Sequence, residues 1–116
     1  MSIASMTGDH PIQIQRAQTT KDPAGGIRKD VWREVWTTRA AVQPMHARDR
    51  MIFAQRQMIV THNVYFAGTA DVRKNDRVIL LDSPNPDDPR VFEIRGVMDE
   101  AGKGVLTRLV AMELSS

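Results

Sequence analysis

The stretch Arg90-Val-Phe-Glu-Ile-Arg-Gly-Val-Met98 sets Val91, Glu93 and Arg95 against Phe92 and Ile94, an alternation of period two. Successive side chains of a strand point to opposite faces, so this pattern predicts a strand with one face on a core. Asp99-Glu-Ala-Gly-Lys-Gly104 follows as a turn. Val105 to Leu114 then alternates again, with Leu106, Arg108, Val110 and Met112 against Val105, Thr107, Leu109, Ala111 and Glu113. The chain therefore contains a strand hairpin.

Working back from that hairpin, Ser83-Pro-Asn-Pro-Asp-Asp-Pro89 is a stiff connection, since its three prolines fix φ and withhold amide donors. Arg77-Val-Ile-Leu-Leu-Asp82 and Thr61 to Phe66 read as two more strands. Val31 to Val42, rich in β-branched and aromatic residues, predicts a long strand bent near its middle and ended by Pro44. Pro11-Ile-Gln-Ile-Gln-Arg16 alternates Ile12 and Ile14 with glutamines, and Lys21-Asp-Pro-Ala-Gly-Gly26 supplies a hairpin-type connection. His46 to Met58 is the one segment with helical periodicity, where Ala47, Met51, Ala54 and Met58 form an apolar stripe. Ile52 and Phe53 fall on other faces of that helix and need a cover: a loop, the N-terminal arm or a partner subunit. The expected fold is mainly β, a small β-barrel or sandwich of five to six strands with one inserted α-helix. Residues 1–10 read as a flexible arm too polar to pack alone, and residues 11–116 as one domain.

Composition narrows the function classes. The chain has 116 residues, 26% charged and 41% apolar, a globular balance with room for one modest core. With no cysteine there is no disulfide framework, thiolate metal site or cysteine nucleophile. No apolar run reaches bilayer-spanning length, and the start lacks a basic and apolar leader, so the expectation is an intracellular protein, or one assembled inside a cell, without a membrane role. Sixteen Lys and Arg against fourteen Asp and Glu are spread along the chain, not clustered as tight nucleic-acid binding requires.

No catalytic constellation emerges. His10, His46 and His62 are far apart and off metal-ligand spacing, so they read as surface or strand residues. Asp87-Asp88 and Asp99-Glu100 sit in turns, where carboxylates stay solvated. Gly102-Lys-Gly104 lacks the rest of a phosphate loop, and no serine has a nucleophile-elbow setting. The expectation is a protein without enzymatic activity, cofactor or metal. Trp32 and Trp36, four apart on one strand, should share a face and pack in the core or an interface. Arg48, Arg50 and Arg56 circle the helix, as solvated charges or as the lining of a DNA-containing lumen.

The order of features resembles the head–tail joining proteins of tailed bacteriophages, also called head closure or stopper proteins. The resemblance runs from Ile12 to Leu114: the Ile12–Arg16 strand, Asp22 and Gly25-Gly26, then Trp32, Ala40, Val42 and Pro44. It continues through Arg48-Asp-Arg-Met-Ile-Phe-Ala54, Thr61-His62, Arg77 with its apolar strand, Val91-Phe-Glu-Ile94 and Glu113-Leu114. The chain departs from the family at Ala67-Gly68, where an Arg-Tyr pair is common, at Arg39, where an aromatic is common, and in its longer proline-rich connection.

The resemblance implies a structural virion protein, a ring in the phage neck between portal or adaptor and tail, located in the host cytoplasm during assembly. That ring would close the DNA exit channel after packaging and give the tail its docking surface. It implies a homo-oligomer, dodecameric by family habit, a portal or adaptor protein above, a tail terminator or tail protein below, and transient non-specific contact with packaged DNA. Met45, Arg48, Arg50, Ile52, Phe53 and Arg56 are the candidate subunit-interface or lumen segment, with Ile52 and Phe53 as apolar anchors. Arg73, Lys74 and Asn75, and Pro84, Asn85, Pro86 and Asp87, are the candidate docking loops. The competing readings are a tail-completion or terminator protein of similar fold and a small OB-like nucleic-acid-binding barrel.

Overall fold

The protein is described by a computed structural model covering residues 10–20, 29–85, 87–99, 102 and 104–114. Residues 1–9 of the expected N-terminal arm, the Asp22 and Gly25-Gly26 connection, Pro86 and part of the turn after Asp99 lie outside the described residues, whereas His10, the last residue of that arm, opens the first strand. Among the described residues six strands and one helix follow one another as β1 (His10–Thr20), β2 (Lys29–Pro44), α1 (Ala47–Gln55), β3 (His62–Ala67), β4 (Arg77–Leu80), β5 (Val91–Asp99) and β6 (Leu106–Leu114). The strands close into a barrel in the order β1-β2-β3-β6-β5-β4, every neighbour antiparallel. The mainly β fold with one inserted helix is as expected, and the architecture is the barrel.

The period-two faces fill the interior. Ile12, Ile14, Ala40, Val64, Phe66, Val78, Leu80, Phe92, Ile94, Leu109 and Ala111 form one buried cluster. A six-strand barrel has no spare lumen, because inward side chains occupy it. β6 is buried on both sides. Leu109 and Ala111 face in, while Val110 faces out into a second cluster with Met45 and Val60, joined by Phe53, Met58 and Met98.

Two bulges change the parity of their strands. Ile14 pairs with Trp36 but Gln15 with Glu34, so Val35 is the extra residue in β2. The expected bend is there, and it overturns one expectation: Trp32 and Trp36 do not share a face. Trp36 packs on the core with its ring 5.1 Å from Phe66, edge to face. Trp32 lies outside under the Arg77 guanidinium, 4.0 Å from the ring centre. In β5 the extra residue is Arg95, and Gly96 follows it beneath Val110. A Cβ at Gly96 would stand 2.9 Å from the Val110 methyl carbon Cγ2, a gap only glycine fits without a shift.

The helix is shorter than its apolar stripe suggests. Gln57 takes a left-handed φ of 61°. Its N–H donates to Ala54 and that of Met58 to Phe53, the paired bonds of a Schellman stop. The stop folds Met58 back beside Phe53 instead of extending the stripe. Met51 is therefore 64% exposed, Ala47 and Ala54 are exposed, and Phe53 is the helix residue that packs on the barrel.

Candidate functional site

Antiparallel order puts α1, the 81–90 connection and the ends of β2 and β6 on one rim. The opposite rim carries the 68–76 connection and the free part of the β1–β2 pair.

At the helix rim a polar lid covers the core. Arg90 grips Glu113 with two bonds, Nε to Oε2 at 2.7 Å and Nη2 to Oε1 at 3.1 Å. His62 lies edge to face on Phe92 at 5.0 Å, and its Nε2 is 3.4 Å from Arg90 Nη2. Thr61 Oγ1 accepts the Glu113 backbone N–H at 2.7 Å and lies 2.9 Å from His62 Nδ1. Bonds from Arg90 hold the Glu113 carboxyl below the ordinary carboxylate range, outweighing its partial burial. Burial pushes the His62 imidazole down, helped by Arg90 and Arg50 and opposed by Glu113. A groove of about 580 Å³ opens above this lid, lined by residues that include Pro44, Arg50, His62, Asp88 and Leu114.

At the other rim the 68–76 connection crosses the barrel mouth. It inserts Val72 and Ala70 into the core and buries Asp76. Asp76 accepts from Arg16 Nε at 3.0 Å and Nη2 at 2.9 Å, and from the Arg73 backbone N–H at 2.9 Å. Beyond Gln15, β1 pairs only with β2, and before Ala41, β2 pairs only with β1 among the described residues. The two strands therefore run past the barrel as a two-stranded ribbon carrying exposed Val31 and Trp32.

The expected site residues divide accordingly. Arg48, Arg50, Ile52 and Arg56 are exposed on or beside α1. Met45 is buried and Phe53 half-buried against the protein's own barrel. Pro84, Asn85 and Asp87 are exposed on the helix rim, whereas Arg73, Lys74 and Asn75 are exposed on the opposite one. The two loop sets thus face opposite ways. The ribbon and the His62–Arg90–Glu113 lid were not singled out as sites. Nor was Gly96, although a lone glycine inside an alternating strand is itself the signal of a bulge. Among the described residues no group of three or more His, Asp or Glu side chains is placed to hold a metal ion, and no helix is long and apolar enough to cross a membrane.

The family profile of phage head completion proteins matches residues 3–114, nearly the whole chain. The chain belongs to that family. As a phage head completion protein it is a structural component of the phage head–tail region, working with other head and tail proteins. The head completion fold is also similar to the solution structure of protein SF1141 from Shigella flexneri 2a. The two share 20% identity and a TM-score of 0.77 over 100% of this chain and 99% of that one. No curated protein matches the sequence.

Proposed function

We propose that this head completion protein forms a homo-oligomeric ring, dodecameric in the simplest case, in the phage neck between portal or adaptor and tail. There it closes the DNA exit channel after packaging and presents the surface on which the tail docks. Family membership over residues 3–114 carries the reading. The barrel supports the ring in particular: its interior is filled by side chains such as Phe66 and Phe92, so one copy offers DNA no passage and a channel needs several copies side by side. The two unlike rims suit a component stacked between two different partners, the helix rim meeting one and the ribbon rim the other. The scattered arginines allow transient contact with DNA without the clustered charge that would brake its exit.

Deleting the gene in its phage and imaging the lysate by electron microscopy tests this. Free tails beside tailless heads that have lost their DNA are the expected result. Normal infectious particles would overturn the reading.

A further inference from the structure

Two exposed patches on different connections of the helix rim are complementary to each other. The first is on α1. Arg48, Ile52 and Arg56 are spaced by four, so they align along one side of the helix and its C-cap, with Met51 beside them. Ile52 is 42% and Met51 64% exposed. Among the described residues Arg48 and Arg56 form no ion pair of 4.0 Å or less within the chain. This patch is apolar and cationic.

The second patch is on the connection from β4 to β5. Leu81 is 49% exposed, Asp82 follows it, and Asp87 stands exposed further along. Asp82 bonds the His10 ring at 2.9 Å, while the Asp87 carboxylate has no cationic partner among the described residues. This patch is apolar and anionic.

The two patches spring from different seams of the barrel. α1 springs from the β2–β3 seam and rests through Phe53 on Val110 of β6. The connection springs from the β4–β5 seam and is tied to β1 through the Leu81 N–H to Pro11 carbonyl bond. In the cyclic order β1-β2-β3-β6-β5-β4 the two seams are diametrically opposite, as are β6 and β1. Complementary patches that spring from opposite seams of one rim suit a head-to-tail contact between identical copies, and a head-to-tail contact can close into a ring.

We infer that the Arg48–Ile52–Arg56 side of α1 docks on the Leu81–Asp82–Asp87 patch of a second copy of this chain. The inference rests on the proposed ring and names its contact. Arg48 and Arg56 face the neighbour's Asp82 and Asp87, and Ile52 with Met51 covers the neighbour's Leu81. Arg50 is left out because it lines the groove above its own chain's lid together with Asp88.

The test is complementation of the deletion phage by full-length variants expressed in the host. R48E/R56E alone and D82R/D87R alone should each lower infectious titre by roughly two orders of magnitude or more, because each sets like charges against one another at every contact. Expressing the two variants together should restore most of the titre. Alternating copies then oppose the introduced glutamates of one variant to the introduced arginines of the other at one contact, and the native pair at the next. Rescue by mixing also shows that both variants fold. Full titre from either variant alone, or loss from both without rescue on mixing, would overturn the contact. If the deletion itself leaves particles normal, the neck reading fails and takes the contact with it. If the deletion uncouples heads from tails while either variant alone supports full titre, only the contact fails.

Discussion

The barrel is closed at both mouths by an arginine–carboxylate pair, and the two pairs live in different surroundings. Asp76 is 4% exposed at its side chain and its partner Arg16 26%, under a connection that also sends Val72 into the core. Glu113 is 31% exposed and Arg90 42%, beside an open groove and the half-buried His62. The same fork geometry therefore does two jobs. At the ribbon mouth it neutralises a buried charge and fixes a plug, while at the helix mouth it ties down a rim that stays wet and titratable. Removing one partner of a buried pair strands a charge, whereas breaking an exposed pair lets water replace the bond.

The largest effect should come from the core that both mouths cover. Phe92→Ala should lower unfolding free energy by about 3–5 kcal/mol in urea titration, since it empties a fully buried site and removes the floor under His62 and Arg90. Arg16→Ala, which strands the buried Asp76, and Arg90→Ala, which leaves Glu113 open to water, separate the two mouths. The first should cost about 3 kcal/mol and the second about 1 kcal/mol by the same measurement. Equal costs would mean that the mouths do not differ as described.

Acid should open the helix mouth first. The His62 imidazole lies below its ordinary value of 6.5, so the unfolded chain takes up that proton before the folded one does. Its contribution is complete above about 6.5 and is lost as pH falls through the window down to the lowered value. Glu113 adds a second loss on passing below the ordinary 4.5, because its folded value is depressed. At the other mouth Asp71 is held down by Arg73 and titrates only below the ordinary 3.8. Thermal melts between pH 7.5 and 5 should show a fall in wild type that His62→Gln flattens, and amide protection factors, corrected for the intrinsic pH dependence of exchange, should fall at residues 83–90 before 70–76.

The smallest effect on stability belongs to the ribbon. Trp32→Ala should cost about 1 kcal/mol or less, because the ring is partly exposed and its stacking partner Arg77 keeps a bond to Gln15. A two-stranded ribbon is marginal without neighbours, and the proposed neck assembly would give exposed Val31 and Trp32 one. Loss of infectivity by Trp32→Ala with an unchanged melt would locate the ribbon's role in assembly, and a large drop in the melt would put Trp32 in the core instead.

These contrasts were only partly legible in the chain. Alternation at Ile12 and Ile14, Phe92 and Ile94, and Leu109 and Ala111 names the barrel's inner face correctly, since a strand has no other way to hide alternate residues. Parity was lost at Val35 and Arg95, where one extra residue flips everything beyond it, and so Trp32 and Trp36 parted. The helix stop was hidden because glutamine, not glycine, takes the left-handed position at 57. The mouths were invisible because Arg16 and Asp76 stand 60 residues apart and only barrel closure brings them together.

The most direct measurement is electron cryo-microscopy of the neck of the native particle. The expected result is a ring of this barrel between portal or adaptor and tail, with α1 of each copy against the Leu81–Asp82–Asp87 patch of the next. A neck without the barrel, or the barrel found elsewhere in the particle, would contradict it.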